Sequence, residues 1–379
     1  MAASNKRSIW RVIAIGALLL ITAVAIATPL VLSLPPFGGE LSGERLARAR
    51  ANPLYRDGAF VNPLPPAGYT WAYMRELISG QFLGDELREP PAPIPVLAVA
   101  PATLQTPPKP GLRAFWIGHA SVYVEIDGLR LLIDPMFSEH ASPFQLGPRR
   151  FHPPPIALAD LPAIDGVLVT HDHYDHLDMR TVQHLARGNA LFFVPLGIGA
   201  HLERWGVPPA RIREMEWGQE QALGGVRIVS TPSRHYSGRR LRDRDATLWT
   251  SWSVLGARHR FYVSGDTGYS DHFGRIGAQF GPFDLAFVKV GAYGPGAPWL
   301  DIHMSAEDAV RATQDVRAKR LLPVHWGTFN LAFHAWDEPI RRTLAAARAA
   351  QLDVLTPRIG EVVDADVPFT SSAWWEAVR

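Results

Sequence analysis

Apolar and polar positions fall into three regimes along the chain. From position 12 to 34 apolar residues are nearly continuous, broken only by Gly16, Thr22, Thr28, Pro29 and Ser33. From 35 to 110 the pattern is interrupted by fourteen prolines, which favour extended or turn structure and exclude central strands. One amphipathic stretch survives there, 71–83, in which Trp71, Met74, Leu77, Ile78 and Phe82 share a helical face. Packing of that face against the rest of the chain is the first expectation, and contact with lipid the alternative. From Leu112 onward short apolar runs predict strands at 113–117, 121–126 and 129–133, with Asp127-Gly128 as a tight hairpin turn. Further strands are predicted at 167–170, 191–194, 226–231, 248–255, 260–264, 285–290 and 320–324, and helices at 179–187, 306–318 and 338–350. Ser305 and Asp308 resemble a capping box before the second of these helices. Hairpins first and strand–helix alternation later predict a mixed α/β sandwich.

The first regime reads as a membrane segment. A run of about 20 apolar residues can cross a bilayer, and Lys6, Arg7 and Arg11 precede it. This basic flank predicts a cytoplasmic N-terminus and an exported remainder, periplasmic in a Gram-negative cell. The alternative is a cleaved signal peptide, because Ala25-Ile26-Ala27 followed by Thr28 is an A-x-A site. The expected organisation is thus a membrane segment at 1–34, a proline-rich linker and cap at 35–110, and a catalytic domain at 111–379.

Composition narrows the chemistry. The 379 residues carry a net charge of only +2, with 38 basic residues spread along the chain. No basic tract argues for nucleic acid. Cysteine is absent, which excludes disulfides, thiolate metal sites and cysteine nucleophiles. Any metal site must therefore use histidine and carboxylate, and 14 histidines are available.

The segment Thr170-His171-Asp172-His173-Tyr174-Asp175-His176-Leu177 follows an apolar strand and precedes a helical pattern. A strand end opening into a loop lets ligands converge while the scaffold stays rigid. Such a density of desolvated polar groups is costly unless they bind something. Three other apolar runs end in the same way. 226–231 leads to His235, 260–264 leads through Gly265 to Asp266, and 320–324 leads to His325. Together these stretches offer five histidines and two aspartates, enough for two transition-metal ions with positions left for water. Among the remaining polar residues, His119, which follows Gly118 between two strands, reads as a structural residue or one that backs the ligands, and Asp134 ends a strand before Pro135. His140, His152, His184, His201, His259, His272 and His334 lack a ligand context and read as surface or cap residues. Tyr174 is free to touch substrate or to pack, and Trp326 reads as a wall of the site.

These motifs resemble those of the metallo-β-lactamase superfamily, and within it the family of phospholipases D that hydrolyse N-acylphosphatidylethanolamine. The likeness rests on Trp116-Ile117-Gly118-His119-Ala120, Leu132-Ile133-Asp134-Pro135, the His171–Asp178 segment, Ser251-Trp252-Ser253-Val254-Leu255-Gly256, Gly265-Asp266-Thr267-Gly268-Tyr269, Gly281-Pro282-Phe283-Asp284, Gly291-Ala292-Tyr293 and His325-Trp326-Gly327-Thr328-Phe329. They span roughly residues 111–365. The resemblance implies an αββα four-layer sandwich with the metals at one edge of the two sheets. It implies that His171, His173 and His235 hold one zinc, that Asp175, His176 and His325 hold a second, and that Asp266 bridges both. It places His303 near the substrate phosphate and makes Asp134 a support of the metal loop.

The implied reaction is hydrolysis of a phosphodiester in a phospholipid by a hydroxide bridging two Zn²⁺ ions, with Asp175, Asp266 and His303 as the catalytic residues. Iron or manganese would also suit such a His/Asp set. A lactonase or another phosphodiesterase on the same metals is the alternative, and a membrane-tethered zinc-binding protein without catalysis is the alternative from another class. Residues 1–110 match the family only faintly, around Phe60-Val61-Asn62-Pro63, and the 294–302 loop with Pro295, Pro298 and Trp299 departs from it. Acyl preference and oligomeric state, a dimer included, stay open at this level.

Overall fold

The computed structural model describes residues 2–378. Two seven-stranded sheets form its centre. The first runs Val362–Asp364, Leu112–Gly118, Ser121–Ile126, Leu129–Ile133, Gly166–Leu168, Leu191–Pro195, Ile212–Met215 from edge to edge. Its first four strands pair antiparallel and the rest parallel. The second runs Asp353–Val354, Arg320–Val324, Leu285–Lys289, Arg260–Val263, Ser251–Leu255, Val226–Thr231, Glu220–Leu223. There the first four strands are parallel and the last four antiparallel.

Both faces of each sheet are covered, which is why the strands read as apolar runs rather than as an alternation. Leu112, Ala114, Trp116, Val124 and Ile133 of the first sheet share one core with Val226, Ile228, Trp252 and Val254 of the second. The alternate residues Phe115, Ile117, Tyr123 and Leu132 face outward, onto Val182 and Leu185 of the helix Met179–Leu185 and Leu202 of Gly199–Arg204. On the far side, Phe273 and Ile276 of His272–Phe280, Val310 of Ala306–Asp315 and Ile340 of Glu338–Ala350 cover the second sheet. The result is the expected αββα sandwich. Helix starts are set by side chains. Ser305 Oγ accepts from the Asp308 amide at 3.1 Å, and Asp178 Oδ1 accepts from Arg180 at 3.1 Å.

Residues 35–110 supply no strand to either large sheet. They hold the helices Gly43–Ala51, Trp71–Leu83 and Pro101–Gln105 and a short hairpin, Tyr55–Arg56 with Ala59–Phe60. Ala49 and Phe60 are buried with Leu196, Leu248 and Trp249, so the segment is packed onto the sandwich. The helix Trp71–Leu83 departs from its first expectation. Tyr73 is its one buried residue, while Trp71 is 82% and Phe82 77% exposed. Its apolar face does not dock on the body.

The N-terminal helix spans Ala2–Leu32. Within it Val12–Leu32 has a mean hydropathy of 2.5 and no buried residue. That is the length and composition of a membrane-crossing helix.

Candidate metal centre

All strand ends named from the sequence arrive at one edge of the sandwich. The strands Leu129–Ile133, Gly166–Leu168, Val226–Thr231, Arg260–Val263 and Arg320–Val324 each release a polar residue from their C-terminal end: Asp134, the 171–177 loop, His235, Asp266 and His325. The backbone is held in the left-handed region at His119 (φ 52°), Asp134 (φ 40°) and His325 (φ 66°). Such conformations cost of order 1–3 kcal/mol each and persist where the surroundings enforce them. Gly265 also has a positive φ, 56°, and a Cβ there would sit 2.8 Å from Thr170 Cβ. Only glycine lets the Asp266 turn approach the metal loop so closely.

The side chains form two adjoining groups. In the first, His173 Nδ1 lies 2.9 Å from His171 Nε2 and 3.3 Å from His235 Nε2. His235 donates from Nδ1 to the Ile302 carbonyl at 2.9 Å, which leaves Nε2 as a bare acceptor. In the second, Asp175 Oδ2 lies 3.4 Å from His176 Nε2 and 3.5 Å from His325 Nε2. Asp266 Oδ2 stands between the groups. It is 3.3 Å from His176, 3.1 Å from His325, and 3.9 Å from both His171 and His235.

This arrangement fits divalent cations on physical grounds. A tetrahedral ion about 2.0–2.1 Å from each imidazole nitrogen sets its ligand atoms about 3.3 Å apart, close to the spacings seen here. Several polar atoms at the centre are buried without a hydrogen-bond partner among the described residues: His176 Nε2, His325 Nε2 and Asp266 Oδ1. Buried polar atoms are rarely left so, and a cation would satisfy all three.

The electrostatics agree. Burial, reinforced by neighbouring imidazoles, pushes His171 and His235 well below the ordinary histidine range, so both rings are neutral with a lone pair to offer. Burial works to raise Asp266 and Asp175, but the surrounding imidazoles outweigh it and hold both ionised. Burial pulls on His176 too. There Asp266, Asp175 and Asp134 prevail and raise it, so in the apoprotein protons occupy positions that a cation would take.

The two residues read as supports touch the candidate ligands directly. Asp134 Oδ2 is 2.8 Å from His176 Nδ1, and Asp134 also accepts from the Thr170 amide at 2.7 Å and hydroxyl at 2.6 Å. His119 Nε2 is 2.8 Å from Asp175 Oδ2. His303 stands at the rim, its Nδ1 3.7 Å from Asp266 Oδ2 and without a hydrogen-bond partner.

Sequence reasoning missed four neighbours. Tyr236 packs its ring against His173 and His235. Lys289 is buried in the second sheet with Nζ 3.2 Å from the Met304 carbonyl, and burial brings its ammonium down to about 7 against the pull of Asp266. A lone lysine inside an apolar run was the available signal. Asp172, between two ligand-type histidines, is buried and accepts from the Gly238 amide at 2.7 Å and the Thr247 hydroxyl at 2.9 Å. Arg239 lies behind the metal loop. The reading of the other histidines as surface or cap residues is corrected in part. His152, His201, His259 and His272 are buried. Each has a polar contact: His152 with the Pro153 carbonyl, His201 with Asp172, His259 with Asp366 and His272 with Ser270. None of them reaches the centre. Trp326 lines the site's recess but is mostly core, stacked on Trp116 and Trp374.

One cavity borders the centre, and another lies behind the metal loop on the side of Arg239. The one beside His119 and His325 is small, about 20 Å³, and mixed in lining, with Arg88, Asn330 and Phe329. The other, about 610 Å³ and mostly apolar, lies between Val24–Leu32 of the N-terminal helix and the side chains of Tyr174, Arg240 and Leu241.

Fold and site together define a metallo-hydrolase, and comparison with known proteins agrees. The profile of the beta-lactamase superfamily domain matches residues 129–326. The chain belongs to this superfamily. An uncharacterised protein of Mycobacterium tuberculosis is 45% identical over 336 residues, 87% of this chain and 89% of that protein. N-acyl-phosphatidylethanolamine-hydrolyzing phospholipase D 1 of Caenorhabditis elegans is 39% identical over 230 residues, 58% of this chain and 65% of that one. Among solved structures, Igni18, a metallo hydrolase of the archaeon Ignicoccus hospitalis, superposes with a TM-score of 0.52 at 24% identity, over 68% of this chain and 99% of that one, and speaks to the fold alone.

Proposed function

We propose that this protein is a zinc-dependent phosphodiesterase acting as a phospholipase D on N-acylphosphatidylethanolamine-like lipids. One observation carries the two-metal part. A single carboxylate oxygen, Asp266 Oδ2, lies within 3.9 Å of ligand nitrogens from both groups. In this reading His171, His173 and His235 hold one ion, Asp175, His176 and His325 hold the other, and Asp266 is shared. When bound, two such cations supply Lewis-acid charge for a phosphoryl group and make water a nucleophile near neutral pH.

The protein's own groups do the rest. Asp134 fixes the His176 ring through Nδ1, and His119 fixes Asp175, so neither ligand spends orientation freedom on binding. Burial, with Lys289 adding to it, keeps His303 neutral. Its Nδ1, without a hydrogen-bond partner among the described residues, leaves the ring at the rim one N–H for a phosphoryl or leaving oxygen. His171, His176, His235, Asp266 and His325 are all buried, and the low dielectric of a buried site strengthens each of these interactions.

The lipid part rests on the likeness to the nematode phospholipase and on position. Tyr174, between His173 and Asp175, lines the apolar cleft shared with the N-terminal helix. We read residues 1–34 as a membrane anchor with a cytoplasmic N-terminus, 35–110 as a cap, and 111–379 as the hydrolase domain outside the cytoplasm. Full-length protein loaded with zinc and mixed with N-acylphosphatidylethanolamine in detergent micelles is expected to release phosphatidic acid, and His173→Ala to fall to background. Turnover of lactones or small phosphodiesters with none on any glycerophospholipid would overturn the substrate. The small recess at His119 and His325 is the feature that favours this second reading, a lactonase or generic phosphodiesterase.

A further inference from the structure

The segment that links the N-terminal helix to the body, residues 33–40, lies on the body along Ala200, Arg204, Trp205, Arg239 and Arg240. Its carbonyls are taken up one after another by side chains of the body. The Ser33 carbonyl accepts from Arg204, and Pro35 accepts from Trp205 Nε1 at 2.7 Å. Pro36 accepts twice from Arg239, at 2.9 and 3.2 Å. Arg240 then donates to Phe37 at 3.2 Å and to Gly38 at 2.6 Å. At Gly39 a Cβ would stand 2.1 Å from the Ala200 carbonyl oxygen, so the strap lies flush on the body.

Arg239 is the joint. It is 4% exposed. While one side of its guanidinium holds Pro36, Nη1 donates to the carbonyls of Asp172, at 2.6 Å, and Leu177, at 3.0 Å. Those two residues lie at the two ends of the loop that carries His173, Asp175 and His176. The plane of the guanidinium covers the Tyr174 ring at 4.0 Å, and Tyr174 donates back to the Arg239 carbonyl at 2.7 Å. A buried guanidinium whose donors are divided between two segments holds them at a fixed separation, and losing one acceptor leaves a desolvated charge unpaired.

We infer that residues 33–40 are a working part of the metal centre, with Arg239 a positioning residue that couples this juxtamembrane strap to the ligand loop. Lifting the strap loosens the loop and weakens metal binding, although no strap residue touches a ligand. Processing after Ala27 would leave this device intact, whereas removal of residues up to 40 would not. The inference rests on the metal-centre reading above.

The test uses full-length chain in detergent. Gly39→Val lifts the strap without altering Arg239 or the loop. Arg239→Lys keeps the charge but loses the fork that spans three carbonyls. Zinc affinity is measured by chelator competition well below the melting temperature, and the visible bands of cobalt-loaded protein report ligand geometry. Both variants are expected to fold, by circular dichroism, to bind zinc at least about tenfold more weakly, and to shift the cobalt bands. A folded Gly39→Val with wild-type affinity and bands would overturn the coupling, since a purely structural strap would move only the melting temperature. Should Gly39→Val not fold, Arg240→Gln, which frees only the outer end of the strap, takes its place with a smaller drop expected and unchanged affinity again decisive. Failure of wild-type protein to take up zinc would sink the metal-centre reading instead.

Discussion

At the scale of single residues the centre depends on groups that aim its ligands. Asp134 has a left-handed backbone and accepts three hydrogen bonds, two from Thr170 and one from His176. A carboxylate there holds Nδ1 of His176 as a donor, so that Nε2 is the nitrogen turned to the centre, where a cation would replace its proton. Asp134→Asn keeps the shape but replaces one acceptor oxygen with an NH₂ group that must face either the amide of Thr170 or the N–H of His176. Zinc affinity is expected to fall about 10- to 100-fold, measured by chelator competition, with the fold retained by circular dichroism. Unchanged affinity would mean that packing alone orients the ring.

Elements bring these residues together because strands of one direction in two different sheets end at one edge. The covering helices add their own chemistry. His272, the first residue of His272–Phe280, is buried, and burial, followed by the charges of Arg275 and Arg234, brings its imidazole from 6.5 down to about 3. A depressed histidine is neutral in the folded state while the unfolded chain takes up a proton below about pH 6.5. Its contribution to stability is therefore present above that pH and is lost as the pH falls toward 3, with a slope approaching about 1.4 kcal/mol per pH unit. Urea unfolding of wild type and His272→Gln should show a stability difference that narrows between pH 7 and pH 5. A constant difference would contradict the burial of a neutral ring. Much of this level was legible in the sequence. The strands Ser121–Ile126, Leu129–Ile133, Val226–Thr231 and Arg320–Val324 and the helix Glu338–Ala350 fall where apolar runs predicted them. Glu220–Leu223 did not show, because it is an edge strand with mostly exposed side chains and no alternation to detect. The strap escaped for a different reason. Arg239 is one of several arginines in a polar loop, and its meaning depends on contacts 67 and 203 positions away that no local pattern encodes.

For the whole molecule the question is how the sandwich sits relative to a bilayer. Val12–Leu32 counts 21 residues, which as a helix covers about 31 Å, the thickness of a hydrocarbon core. The strap begins one residue later, and its Pro36 carbonyl accepts from Arg239, which itself donates to the carbonyls of Asp172 and Leu177 at the two ends of the metal loop. If the helix crosses a bilayer, as proposed, the strap keeps the centre close to the surface where the helix emerges. The apolar cleft between helix and body opens at the same place, beside Tyr174 and the 79% exposed Leu241. In the proposed lipid reading, tails held in the bilayer or in this cleft keep the substrate beside the body. If the helix is an uncleaved anchor, the full-length protein will stay in the membrane pellet through high salt and alkaline wash, and its intact mass will include residues 1–34. Release by the wash together with a mass lacking the residues before Thr28 would mean that the helix is an export signal. Substrate would then have to reach the centre from micelles or the membrane surface, with the strap retained and the cleft open on one side.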